Sequence, residues 1–176
     1  MKKLIVSILL LVIFGCSEQR EVQLPHTSFN EITEVADVSP VYMFYDEIND
    51  TVIFNRKNLI STTNWLVNID KRLTLQQILP HLQYLQNKRQ KAGMHKNEAA
   101  RNYFTCFNPK TKGLSFIDFT DVAFIEQNRL NDSSSDSIFI ELKGATTFQE
   151  YITLKSELAL NKNDSLFVSP REFIHN

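Results

Sequence analysis

The chain has 176 residues, of which 43% are hydrophobic, and its 19 Lys and Arg nearly balance its 20 Asp and Glu. This composition is typical of one globular domain, and with only four Gly and five Pro it excludes collagen-like or Gly-rich linker sequence. A net charge of −1 argues against nucleic-acid binding, and the chain lacks the apolar run of about 18 residues that predicts an ordinary transmembrane helix.

The first sixteen residues have the layout of an export signal. Two lysines follow Met1, an apolar run occupies residues 4–14, and Gly15 and Cys16 come next. At about 1.5 Å rise per residue, a helix of this length covers roughly half of a bilayer's hydrocarbon core. The order of basic start, short apolar core and small residue therefore predicts a signal peptide over residues 1–15.

The stretch Ile13-Phe14-Gly15-Cys16 resembles the lipobox of bacterial lipoproteins, in which an aliphatic residue, a variable residue and Gly or Ala precede a Cys. The resemblance implies cleavage before Cys16 and lipid attachment to Cys16. Two or more acyl chains would then hold the protein on a membrane, since each buried methylene contributes about 0.8 kcal/mol. The alternative is a plain signal peptide with a chance Cys, or a buried N-terminal helix.

Residues 16–40 are predicted to be a lipid-anchored tether, and residues 41–176 a single globular domain. Ser39-Pro40 marks the boundary, because the residue before a proline favours extended backbone. Ser17 rather than Asp after the Cys implies the outer membrane of the bacterial envelope, by analogy with the sorting rule of lipoproteins. Loss of the two leader lysines leaves a slightly acidic protein, so the lipid rather than net charge is expected to hold it on a membrane.

The domain is predicted to be α+β, with a mixed sheet and two helices on one of its faces. Thr74 with Gln77, and Thr147 with Glu150, have the spacing of a capping box, so helices are predicted from Thr74 to residue 91 and from Thr147 onwards. Strand-like stretches lie at residues 41–45, 51–54, 65–69, 102–107, 114–119, 121–126, 137–142 and 165–168.

This order of elements is similar to that of the periplasmic domain of the ExbD/TolR family. Residues 138–168 give strand, Gly turn, helix and strand, and residues 68–85 fit the family's first half, so that the resemblance covers about residues 41–168. The family's transmembrane helix has a proton-handling Asp, whereas residues 4–14 contain no acid. The resemblance therefore implies a dimerising or peptide-binding periplasmic module, without proton-driven energy transduction.

The sequence contains no recognisable catalytic, cofactor or metal motif. A Gly-rich phosphate loop and a G-x-S-x-G elbow are both missing, and His95 with Glu98 gives two ligands where zinc needs three or four. Cys106 and Trp65 lie in apolar strands and are predicted to be buried in the core. The other histidines and the acids of turns and strand ends are interpreted as structural or solvated: His26, His81, His175, Asp46, Glu47, Asp50, Asp118 and Asp121.

The leading hypothesis is a lipid-anchored, non-enzymatic envelope module that binds another envelope component. Cys16 is its assigned site, and no cofactor or nucleic acid is expected. Two alternatives stay open. One is a periplasmic partner of an envelope transport complex with the ExbD/TolR-like layout. The other is an envelope hydrolase that uses an unrecognised carboxylate pair or the thiol of Cys106.

Overall fold

A computed structural model describes residues 20–91, 99–126, 138–160 and 168–175. The predicted leader and Cys16 lie outside these residues. So do His95, Glu98 and the start of the predicted last strand at residues 165–167.

The described residues form eight strands and two helices, and the predicted α+β class with a mixed sheet is confirmed. In chain order the elements are β1 (Val38–Asp46), β2 (Thr51–Asn55), β3 (Asn64–Ile69), α1 (Leu75–Gln90), β4 (Asn102–Asn108), β5 (Gly113–Asp118), β6 (Ala123–Glu126), β7 (Ile138–Lys143), α2 (Phe148–Leu160) and β8 (Val168–His175).

The larger sheet has five strands in the order β2-β1-β3-β4-β5. The pairs β1–β2 and β4–β5 are antiparallel hairpins, whereas β3 runs parallel to both β1 and β4. The parallel step from β3 to β4 follows from α1, since parallel neighbours need a crossover connection. Asp50 turns the first hairpin with a φ of 47°, a left-handed conformation that Asp tolerates.

The smaller sheet has three parallel strands in the order β6-β8-β7, and α2 connects β7 to β8. Its apolar side chains Phe124, Ile140, Leu142 and Ile174 belong to the same hydrophobic cluster as those of the larger sheet. The two sheets therefore share one core.

One face of the five-stranded sheet, here called the inner face, is packed against both helices. Side chains alternate across a strand, and Phe104 lies on this face with ring centroids 5.2 Å from Phe148 and 6.0 Å from Tyr151 of α2. Trp65 of the same face contacts α1 through the guanidinium of Arg89, 3.7 Å from its ring. Trp65 is fully buried, as the sequence predicts.

The two helices begin side by side, and each satisfies the other's first backbone N–H groups. The N–H of Leu75 donates to the carbonyl of Thr146 at 2.8 Å, and the N–H of Phe148 donates to the carbonyl of Leu73 at 2.7 Å. Both predicted capping boxes are present, with Thr74 and Thr147 as the capping residues. Groups that a helix start leaves unpaired are thus paired here between two strand–loop–helix units.

Candidate functional site

The predicted lipidation site, Cys16, lies outside the described residues, but the chain from Gln23 onwards is held on the domain. The N–H of Gln23 donates to the carboxylate of Asp70 at 3.2 Å, and the N–H of Lys71 donates to the carbonyl of Gln23 at 2.8 Å. Two residues later, the carbonyl of Pro25 accepts from the N–H of Phe107 at 2.8 Å. This segment therefore lies against the ends of β3 and β4.

The same segment continues around the domain as far as the start of β1, and we call residues 23–37 the strap. Thr27 Oγ1 lies 2.6 Å from Ser156 Oγ of α2, and the carbonyl of Ile32 accepts from the N–H of Phe116 in β5 at 2.9 Å. The strap falls within the range that the sequence assigns to a tether. Its backbone is hydrogen-bonded to the domain at several points along its length.

Asp70 joins the strap to the end of β3. Its side chain is fully buried and accepts from the guanidinium of Arg72 at 2.9 Å, from the backbone N–H of Arg72 at 3.1 Å, and from Gln23. Burial raises the pKa of Asp70, but the hydrogen bonds from Arg72 and Gln23 outweigh it and hold the pKa below its usual range. Arg72 also contacts Glu47 of the first hairpin.

Cys106 is part of the core. Its side chain is fully buried on the inner face, and burial raises the pKa of its thiol to about 12. A nucleophilic cysteine needs a neighbouring base or cation that lowers the thiol pKa, and this environment does the opposite. The predicted burial of Cys106 is confirmed.

The acids singled out from the sequence contact basic, amide or hydroxyl groups. Arg101 pairs with Asp121 at 2.9 Å and lies 3.9 Å from Asp118. Asp46 accepts from the side chain of Asn49 at 2.8 Å, which lowers the pKa of Asp46, and Asp50 accepts from the hydroxyl of Tyr45 at 3.0 Å. In the described ranges, no three His, Cys, Asp or Glu side chains are grouped so that they could hold a metal ion.

The three described histidines lie apart from one another. His81 of α1 lies against the ring of Phe54 with centroids 4.6 Å apart, and burial lowers its pKa. His26 contacts the ring of Phe107, and His175 Nε2 lies 4.0 Å from a carboxylate oxygen of Glu141.

Two further ionisable groups, Glu172 and Arg89, are buried, although the basic run around Arg89 is expected from the sequence to be solvated. Glu172 of β8 is 1% exposed and accepts from the hydroxyl of Tyr151 at 2.8 Å and from Lys155 Nζ at 2.6 Å. Arg89 is 7% exposed, and it donates to Asn102 Oδ1 and to the carbonyls of Ser61, Thr63 and Arg101. Both groups tie a helix to a strand or loop, and burial lowers the pKa of Arg89 to about 10.

The opposite side of the five-stranded sheet, the outer face, has no helix among the described residues packed on it. Near β5 it is closed, since Thr105 is 2% and Phe116 5% exposed. Near β1 it is open. Its open part, here called the outer patch, has stacked rings of Tyr42 and Phe44 with centroids 5.6 Å apart. The apolar residues of the outer patch are Val38, Tyr42, Phe44, Ile53 and Leu66.

Val38 is 41% exposed, and the other side chains of the outer patch are half-buried. Phe44 and Ile53 also line a hollow with Asn55 and three cationic side chains. These cations are Arg20, Arg56 and Lys57.

Comparison with known proteins gives no match: no family, no curated protein and no solved structure is significantly similar to this chain. Neither helix of the described ranges combines the length and apolar character needed to cross a membrane.

Proposed function

We propose that this protein is a lipid-anchored protein of the bacterial cell envelope whose folded domain is a non-enzymatic binding module. The observation that carries the proposal is the sequence at the N-terminus, where Gly15 and Cys16 follow a short apolar run behind two lysines. The outer membrane is the proposed location, from Ser17 at the position after the Cys.

Two structural observations support the anchor. The chain has only two cysteines, and Cys106 is fully buried in the core, which leaves Cys16 as the acceptor for acyl chains. In addition, the strap is hydrogen-bonded to the domain from Gln23 onwards. An anchor at Cys16 would therefore keep the domain close to the membrane rather than at the end of a long free tether.

The anchor is tested by labelling cells with radioactive palmitate and following the protein in membrane fractions. Cys16→Ala is expected to abolish the label and to release the protein from membranes. Cys106→Ala is the matched control, because it removes the other cysteine, and it should keep both label and membrane association. Mass spectrometry of the native protein should find an acylated Cys16 at its N-terminus. An intact leader or a bare thiol there would contradict the proposal.

The binding role is tested by chemical cross-linking in cells, followed by purification of the anchored protein. A defined envelope component should be captured by the wild type and by Cys106→Ala. The released Cys16→Ala protein should capture less of it, because it has lost its location. Hydrolysis of an envelope substrate by the purified protein would favour the hydrolase alternative instead.

A second candidate function is that of a periplasmic partner in a transport complex with the ExbD/TolR-like layout. The observation that favours it is β2, which pairs with β1 on one side and, among the described strands, has no partner on the other. Such an edge can accept a strand from a second chain. A disulfide between two Thr51→Cys copies, with none between Thr111→Cys copies, would support a dimer through this edge. A monomer in both cases would contradict it.

A further inference from the structure

We propose that the outer patch is the surface that lies against the membrane, with its aromatic rings at the level of the phospholipid headgroups. This inference rests on the proposed lipid anchor at Cys16. It adds an orientation, since it states which side of the domain faces the bilayer.

The position of the chain near the anchor is the first argument. Arg20 is the first described residue, and it lines the hollow formed with Phe44 and Ile53 of the outer patch. Three residues lie between Cys16 and Arg20, and the four steps from one to the other span at most about 14 Å in an extended chain. The acyl chains would therefore enter the bilayer within a short distance of the outer patch.

The chemistry of the outer patch is the second argument. Tyr42 and Phe44 are stacked and half-buried, so each presents part of its ring to the surroundings. Aromatic side chains of this kind are enriched where an apolar phase meets water, because the ring body is apolar and a tyrosine also has a polar tip. Val38 and Ile53 extend the apolar area along β1 and β2.

The charges beside the outer patch are the third argument. Arg20 and Lys57 line the hollow at its edge. Arg56 lines it too, but its guanidinium lies 4.1 Å from the ring centre of Tyr84 in α1. Asp46 is near enough to Arg20 for the charge of Arg20 to contribute to the lowered pKa of Asp46, so one acid offsets part of this positive charge. The hollow therefore has a local positive charge although the protein as a whole is slightly acidic, and phosphate groups of phospholipids match it.

Tryptophan fluorescence tests this orientation in the full-length lipidated protein on vesicles of phosphatidylethanolamine and phosphatidylglycerol. Phe44→Trp is compared with Leu160→Trp, which lies at the end of α2 on the other side of the sheet and is 64% exposed in the wild type. Trp65 is fully buried and supplies a constant background. Brominated lipids should quench Phe44→Trp several-fold more than Leu160→Trp, and equal quenching would overturn the proposal.

A second test of the orientation uses the wild-type protein without any substitution. An amine-reactive reagent should label Lys57 several-fold more slowly than Lys91, which is exposed at the end of α1, when the protein is on vesicles. Equal labelling would overturn the proposal. Cross-linking of two copies through Phe44→Cys would also overturn it, in favour of a second copy as the occupant. Flotation with the vesicles reports the anchor separately, so its loss would contradict the proposed function rather than the orientation.

Discussion

The two faces of the five-stranded sheet differ in what covers them, although both are apolar. Along β1, Val41 and Met43 point to the inner face and are fully buried, whereas Tyr42 and Phe44 point to the outer face and are half-buried. A strand that is apolar on both sides is expected when both sides are covered. The helices cover the inner face, so the apolar side chains there are explained by their burial in the core, which stabilises the fold. The outer patch is better explained by contact with something outside the domain.

The largest expected effect separates the two faces directly. Phe104→Ala should lower the free energy of unfolding by about 3–5 kcal/mol, because it removes a fully buried ring that contacts Phe119, Phe148 and Tyr151. Phe44→Ala should lower it by about 1 kcal/mol or less, because the ring is half-buried. Urea unfolding followed by Trp65 fluorescence measures both. Equal losses of unfolding free energy would contradict the expectation that only the inner face is part of the core.

The next prediction compares a buried arginine behind the inner face with an exposed arginine. Arg89→Ala should cost about 3 kcal/mol, since Arg89 is buried behind the inner face and its loss removes the donor to the carbonyls of Ser61 and Thr63 and to Asn102 Oδ1. Arg101→Ala is the matched control: its side chain is 43% exposed and pairs with Asp121, so the loss should stay within about 1 kcal/mol. The same unfolding experiment compares them, and a larger loss for Arg101→Ala would contradict this expectation.

The strap should respond to pH through Asp70. Hydrogen bonds to the ionised carboxylate hold its pKa below the ordinary value, so its contribution is complete above the unfolded-state pKa of about 3.9 and disappears as the pH falls through the folded-state pKa. Asp70→Asn should cost about 1–3 kcal/mol at neutral pH and flatten the acid branch of the stability curve.

The free energy of unfolding of the wild type and of Asp70→Asn is measured over a pH series. Hydrogen exchange at the N–H of Gln23 shows whether the strap is released locally. Asp121→Asn is the control, because that carboxylate is 84% exposed. An unchanged acid branch in Asp70→Asn would show that another group is responsible.

The smallest effects concern the helix starts behind the inner face. Thr74→Ala and Thr147→Ala should each cost about 1 kcal/mol, because each removes a side chain that accepts from a backbone N–H of the first helical turn. Thr74→Ser and Thr147→Ser keep the hydroxyl and should restore most of the loss. Thermal unfolding of the four variants measures this, and no rescue by Ser would assign the effect to packing.

Local signals in the sequence predict much of the fold. The helices begin at Thr74 and Thr147 because capping boxes depend on residues only three positions apart, and Cys106 and Trp65 are buried because apolar strands surround them. The last strand differs more from its prediction. The sequence predicts its end before Pro170, whereas β8 runs from Val168 to His175. Pro170 is tolerated because it lies at a register shift between β7 and β8.

The polar groups that hold the strap and the helices were not predictable in this way. Gln23 and Asp70 are 47 positions apart, and Tyr151 and Glu172 are 21 apart. No local periodicity relates such partners, and Asp70 was recognisable only as an acid that follows a strand. The anchor at Cys16 differs from these pairs, because its evidence lies entirely in neighbouring residues of the sequence. It stays a prediction.

The reciprocal pairing of the helix starts has a consequence for how the chain can be divided. Each helix uses backbone carbonyls from the loop before the other one, so neither half of the domain contains a complete set of acceptors for its own first turn. Two fragments produced by cleavage between β6 and β7 would each be incomplete. They would regain native structure only by complementing one another, since β6 of the first fragment also pairs with β8 of the second, so the two halves form one cooperative unit.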